Sequence, residues 1–391
     1  MKKLLIATAA LATFATAAHA QSSVTLYGTL DNAVAWFSNV KGANGSGNLV
    51  KMSAGNVSPN LWGLKGNEDL GNGLHAIFRI ESGFDVNTGN SNQGGRLFGR
   101  QAYVGLQSNN MGTVTLGRQY DPLIDLIQPL TNDDVFASTF ATPGDIDNYD
   151  NSFRTSNAIK YMSPDISGFK VSAMYGFGGA AGSMSAGQTY AAAVSYNNGP
   201  IGLAAGYFRA TSGNGTVSSF DGLQSPTTGG VVDDSPGISG GFVSANSLQI
   251  VRAAGSYAIG PVTTGISYSN VQYQNYQTAT SGSNNRTEFN TGQAYVNYQL
   301  LPAMVVGVGY NYTKGGGNGV DVTYNQVSLG AIYSLSKRTD IYALGGYQKA
   351  SGNTFNTSGV LSTAVASMGD FGNDASNDRQ GMVMVGIRHR F

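Results

Sequence analysis

The sequence predicts an all-β fold: a closed, sixteen-stranded antiparallel barrel that crosses a membrane. Three observations predict it. Charge is scarce, yet no run is apolar enough to span as a helix. Side-chain character alternates with period two along most of the chain. The connections between alternating segments are short and long in turn.

The 391 residues include 22 Lys+Arg, 22 Asp+Glu and no Cys. Charged residues make up 11%, against about 25% in an ordinary soluble domain. Gly is abundant (55), and Tyr (21) and Phe (17) far outnumber Trp (2). This argues against a soluble α/β enzyme. It also argues against disorder, because disordered chains are charge-rich and aromatic-poor. Balanced charge gives no case for nucleic acid. The lack of Cys removes disulfides, thiolate nucleophiles and Cys-based metal sites.

Residues 1–20 read as an export signal. Lys2 and Lys3 precede a short apolar stretch from Leu4 to Ala18, and Ala18-His19-Ala20 is a cleavage signal, so the mature chain is expected to start at Gln21. The stretch is too short to span a membrane. Without Lys2 and Lys3, 20 basic residues face 22 acidic ones, a mature charge of −2. No later run reaches 18 apolar residues. An exported chain of this kind is either soluble outside the inner membrane or a closed barrel.

The alternation decides between these. Val262, Thr264, Ile266 and Tyr268 interleave with Thr263, Gly265, Ser267 and Ser269. Ala294, Val296, Tyr298 and Leu300 interleave with Gln293, Tyr295, Asn297 and Gln299, and Val327, Leu329, Ala331 and Tyr333 with Gln, Ser and Gly. Successive strand residues point to opposite faces, so each segment has one apolar and one small or polar face. The polar face is poor in Lys and Glu, which suits a confined, water-filled interior.

Seven short turns fall at 70–73, 109–112, 164–168, 198–200, 260–261, 301–302 and 335–338. Eight longer segments fall at 38–49, 85–95, 120–154, 178–189, 211–247, 278–285, 314–322 and 349–379. Fifteen connections join sixteen strands. Outer-membrane barrels have short periplasmic turns and long outer loops. Tyrosines near predicted strand ends (Tyr257, Tyr268, Tyr298, Tyr310, Tyr312) fit interfacial girdles. Residues 21–391 read as one barrel. In the last strand Val383, Val385, Ile387 and the final Phe391 alternate. A terminal aromatic of this kind resembles the signal read by the barrel assembly machinery.

Five stretches carry a wider resemblance: Ser23-Val-Thr-Leu-Tyr-Gly-Thr-Leu-Asp31, Trp62-Gly-Leu-Lys-Gly-Asn-Glu-Asp-Leu-Gly71, Arg100-Gln-Ala-Tyr-Val-Gly-Leu106, Gly112-Thr-Val-Thr-Leu-Gly-Arg118 and Gly386-Ile-Arg-His-Arg-Phe391. The sequence resembles the Gram-negative general porins of neisserial and betaproteobacterial type. The resemblance implies a homotrimer in the outer membrane, among lipid and lipopolysaccharide. It also implies a third outer loop folded inward to narrow each pore.

Residues 120–154 are the expected constriction. Asp121, Asp125, Asp133, Asp134, Asp145, Asp147 and Asp150 lie there, with no basic residue before Arg154. Leu123, Ile124, Leu126, Ile127, Leu130, Val135 and Phe136 argue that the loop docks against something. A basic wall is expected opposite. Alternation aims His75, Arg79 and Glu81 inward on the third strand, and gives Lys160 and Arg154 inward parity on the sixth. The resemblance supplies Arg100 as a wall arginine, and Arg118 ends the fifth strand beside the loop entrance. Acids facing bases would set a transverse field and an ion preference. Leu61 stands where many relatives carry Arg. Arg79 is expected to replace that charge in part.

Other motifs carry no chemistry. Gly71-Asn-Gly73-Leu-His-Ala76 matches a dinucleotide fingerprint, but period two resumes at Leu74, so it reads as a hairpin turn. Asp145-Ile-Asp147-Asn-Tyr-Asp150 lacks the Gly and terminal Glu of a calcium loop and would hold a divalent cation only loosely. The mature chain has two His, His75 and His389, neither placed for a catalytic pair. The expected function is passive diffusion of small hydrophilic solutes and ions, without a cofactor or catalysis. A substrate-preferring (sugar or anion) channel and a surface adhesin are the alternatives.

Overall fold

The computed structural model describes residues 23–42, 45–212, 219–220, 238–242, 244–280, 282 and 284–391. The predicted export signal at 1–20 lies outside them, as do most of the predicted outer segment at 211–247 and parts of 38–49 and 278–285. Sixteen strands follow one another as antiparallel neighbours. They are β1 (Ser23–Gly42), β2 in two halves (Gly45–Ala54 and Leu61–Gly71), β3 (Leu74–Gly83), β4 (Gln101–Ser108), β5 (Gly112–Gln119), β6 (Thr155–Met162), β7 (Phe169–Gly176) and β8 (Thr189–Asn198). Then come β9 (Ile201–Thr211), β10 (Ser247–Ile259), β11 (Val262–Tyr276), β12 (Asn285–Leu301), β13 (Met304–Gly317), β14 (Val320–Ser334), β15 (Thr339–Phe355) and β16 (Arg379–Arg390). A three-residue strand, Leu361–Thr363, pairs with the outer end of β15.

The sheet closes on itself. β1 pairs β16 from Thr29↔Arg390 to Phe37↔Met382. At the seam the Gly28 and Phe391 backbones exchange hydrogen bonds of 3.2 and 3.1 Å. A Cβ on Gly28 would stand 2.4 Å from the Phe391 ring. The terminal aromatic therefore packs only because position 28 is glycine.

The burial pattern is inverted relative to a soluble protein. Ile266 is 68% exposed and Val385 60%, while Gln326 and Gln348 are 1% and 0% exposed. An apolar exterior with a polar interior fits a bilayer outside and water inside.

Several strands outrun the expected loops. The segment 314–322 contains only a tight turn: β13 continues to Gly317 and β14 begins at Val320. Asn318 (φ 51°) and Gly319 (φ 85°) make that turn, the two positive φ values that a type I′ hairpin requires. β1 runs to Gly42, and β15 to Phe355. At these outer ends the apolar face turns inward: Val320, Val322 and Phe355 are buried in one cluster with Phe289, while the outward Lys314 and Asp321 are exposed, so the outward-apolar pattern is lost while the ladder continues.

β2 breaks at 55–60, and its break folds into the lumen. The buried Asp31 carboxylate accepts the backbone N–H groups of Asn56 (3.1 Å), Val57 (3.0 Å) and Ser58 (3.0 Å). Tyr342 Oη donates to it at 2.6 Å.

Candidate functional site

The loop between β5 and β6 lies across the lumen. It begins with α1 (Pro122–Leu126), capped by Asp121, whose side chain accepts from Leu123 N at 2.8 Å. Pro122 occupies the first helical position, where its missing N–H costs nothing. A short α2 (Asp133–Phe136) follows.

The loop docks by placing large side chains against wall glycines. A Cβ on Gly307 or Gly330 would lie 2.4 Å from Phe136, one on Gly309 2.7 Å from Phe140, and one on Gly202 2.5 Å from Leu130. Phe136 and Phe140 stack with centroids 4.9 Å apart. Wall side chains bond the loop backbone. Tyr295 Oη donates to Leu130 O (3.0 Å), Gln326 Nε2 to Thr139 O (3.0 Å) and Asn311 Nδ2 to Ala141 O (3.2 Å). The polar inner face is therefore partly committed to holding the loop.

The docked loop leaves two cavities. The outer one, about 530 Å³, is lined by Lys51, Arg100 and Arg154 and by Asp85, Asp133, Asp134, Asp150 and Asp370. The other, about 570 Å³, lies at the short-turn end and includes Lys337, Asp340, Arg388 and Arg390. Asp134 lines both.

Of the seven loop aspartates, Asp133, Asp134 and Asp150 reach the outer cavity. The other four serve the loop's own structure. Asp121 is a cap. Asp125 pairs with Lys160 at 2.5 Å. Asp145 accepts from Asp150 N (2.9 Å) and Ser152 Oγ (2.6 Å). Asp147 accepts from Thr142 Oγ1 (2.8 Å) and from Ser269 Oγ on β11.

Burial pushes the Asp133 carboxyl up to about 7, with Asp147 adding to the effect. Burial likewise raises Asp150 and Asp145 well above the usual range. Asp370 is the main charged contributor at Asp150, and Asp147 followed by Asp370 at Asp145. These acids crowd one another. Among the described residues, no group of three or more His, Cys, Asp or Glu is arranged to hold a metal ion.

The basic residues divide as well. Arg100 Nη2 donates to Tyr120 Oη at 2.6 Å, and Arg100 and Arg154 both lie over the Tyr120 ring, at 5.7 and 5.4 Å. Arg79 lies over Tyr27 at 5.4 Å, as does Lys65, which alternation alone does not single out. Both belong to the wall but not to the outer cavity. Two placements need correction. Lys160 tethers the loop, donating to Tyr120 O at 2.8 Å as well as to Asp125. Arg118 pairs in register with Ala102, on the face opposite Tyr103, and donates to Gly99 O (2.7 Å) and Ser156 Oγ (2.8 Å). Gly117, at φ 139°, marks a bulge there, and the register slips between Gly117 and Gln119.

The sequence pattern gives no sign of Arg252 on β10. It is fully buried, and its guanidinium lies 4.3 Å over the Tyr149 ring. Its Nε and Nη1 meet no acceptor. Its charge instead acts through space, favouring the ionised forms of both Asp121 and Asp133 against the effect of burial.

Comparison with known proteins agrees with this geometry. The family profile described as Gram-negative porin matches residues 7–353. The chain is 33% identical to an outer membrane porin protein of Bordetella pertussis and 32% to outer membrane porin protein 32 of Delftia acidovorans, each alignment covering 100% of both chains. It is 29% identical to a major outer membrane protein P.IB of Neisseria gonorrhoeae, over 89% of this chain and 93% of that one. Among solved structures, the anion-selective porin from Comamonas acidovorans superposes with a TM-score of 0.68 at 24% identity, covering 95% of this chain and 100% of that one. The chain belongs to the Gram-negative porin family and is an outer-membrane channel for passive diffusion.

Proposed function

We propose that the channel is non-specific, admits small hydrophilic solutes and ions, and sieves them where the loop between β5 and β6 crosses the lumen. The carrying observation is that Asp134 lines both cavities. In this reading a solute crossing between the cavities passes beside this carboxylate. The chain has no catalytic role in this reading. It works as a homotrimer, a reading supported by the trimer form of a structural neighbour, OmpT of Vibrio cholerae.

We further propose a weak anion preference. Three bases and five acids line the outer cavity. Burial and neighbouring acids favour the protonated forms of Asp133 and Asp150, which lessens the acidic excess of this cavity. The inner cavity adds Lys337, Arg388 and Arg390 against Asp134 and Asp340. The reversal potential across a planar bilayer with a KCl gradient tests this. Anion permeability should exceed cation permeability, and Asp134→Asn should increase the ratio. A cation-selective wild type, or an Asp134→Asn channel with an unchanged ratio, contradicts it.

A further inference from the structure

The inward face of the outer strand ends is apolar where a wet lumen calls for polar residues. Tyr273 on β11, Phe289 on β12, Val320 and Val322 on β14 and Phe355 on β15 turn into the barrel and are buried in one cluster. Apolar side chains bared to water are unfavourable, so these residues need a cover. The chain between β9 and β10 supplies it, with a 3₁₀ turn at Ile238–Phe242.

Phe242 is fully buried among four rings. It stacks on Tyr273, centroids 4.9 Å apart, and meets Tyr276 (5.1 Å), Phe289 (5.6 Å) and Phe355 (6.1 Å) edge-on. Aromatic pairs attract at such separations. Gly241 lets the turn come this close, since a Cβ there would stand 2.5 Å from Phe355 O. The turn also abuts Pro143–Asp145 of the constriction loop. Tyr276 Oη shares a hydrogen bond with Thr287 Oγ1 (2.6 Å) and accepts one from Asn318 Nδ2 (3.2 Å), so the polar tip of the box is satisfied. Ala279 N donates to Gly359 O at 3.0 Å, which ties the connection after β11 to the one after β15.

The other side of the mouth is wet. The outer cavity takes its lining from 51–60, 84–100, the constriction loop and 370–372. Among the described residues, none from β6–β15 lines it. We propose that Phe242 sets the route into the pore: seated in its box, it keeps the β11–β15 side of the outer mouth dry and confines entry to the cavity beside β2 and β3. The inference rests on the porin channel, not on sieving at Asp134.

The chain has no Cys, so single cysteines report access to each side of the mouth. Asn92→Cys puts a thiol in the outer cavity, and Val322→Cys puts one in the buried cluster. The probe is a charged, membrane-impermeant methanethiosulfonate, with labelling followed by mass spectrometry and current by planar-bilayer recording. Asn92→Cys should label quickly, and its current should fall. Val322→Cys should label on the order of a hundredfold more slowly, the protection of a site reached only by local opening. Adding Phe242→Ala should close most of that gap and raise single-channel conductance, whereas Phe242→Leu should keep most of the protection. Heat-modifiable gel mobility confirms that each variant is folded. Val322→Cys labelling as fast as Asn92→Cys with Phe242 in place overturns the proposal. So does a Phe242→Ala channel in which both protection and conductance are unchanged. Labelling is read by mass rather than by selectivity, so this inference can fail while the sieving at Asp134 stands.

Discussion

Asp133 gives the pore a titration that current can report. Its carboxyl sits in the outer cavity and is pushed up to about 7 by burial. It is neutral below that pH and charged above it, so lowering the pH from about 8 to about 6 should raise the anion-to-cation permeability ratio. Asp133→Asn should raise the ratio on the alkaline side and flatten the step near 7. An equally steep step in the variant would assign the titration elsewhere. Arg252 offers a second test. The buried Arg252 charge favours ionised Asp121 at the start of α1, and its guanidinium lies over the Tyr149 ring of the loop. Arg252→Met should therefore loosen the loop from β10, giving larger and noisier current steps, with Arg252→Lys partly restoring the wild-type level. Alternation sufficed to put Arg79 on the inner wall. It could not show that Lys160 is occupied by Asp125, because that partner lies 35 residues away in sequence. Nor could it find Arg252, whose inward neighbours Leu248, Ile250 and Ala254 are apolar because they meet the loop rather than water.

At the scale of elements, the loop and its glycine seats form one unit. Large-to-small substitution of a buried Phe costs about 3–5 kcal/mol. Phe136→Ala should weaken loop docking by a comparable amount and raise the size of sugar that permeates, measured by vesicle swelling. Gly330→Leu should do the same from the wall side, because a Cβ there already collides with Phe136. Unaltered sieving in both variants would mean that these contacts do not hold the loop. The loop's apolar residues announced that it docks. The seats were less legible, because an inward glycine reads the same whether it faces water or a ring. Strand ends were obscured for a related reason: the Gly and Asn run at 315–319 looks like loop, and Val320 and Val322 face inward rather than toward lipid. At the seam, Gly28→Leu should impair folding into the barrel more than the same change at Gly316, where a Cβ would meet nothing within 4 Å. Heat-modifiable gel mobility reads this directly.

For the whole molecule, the barrel itself was the most legible feature, since period two, scarce charge and paired short and long connections all follow from one greasy and one wet surface. Closure between β1 and β16 leaves no free edge in the bilayer. What remained beyond the sequence was the interior arrangement: the inward break of β2 around Asp31, and two cavities meeting at Asp134. Swelling of liposomes carrying the purified protein, in sugars of graded size, tests the central claim most directly. Entry rates should fall steeply with sugar size and rise linearly with concentration. Liposomes that stay impermeable to every sugar, or a rate that saturates with one sugar alone, would contradict the account.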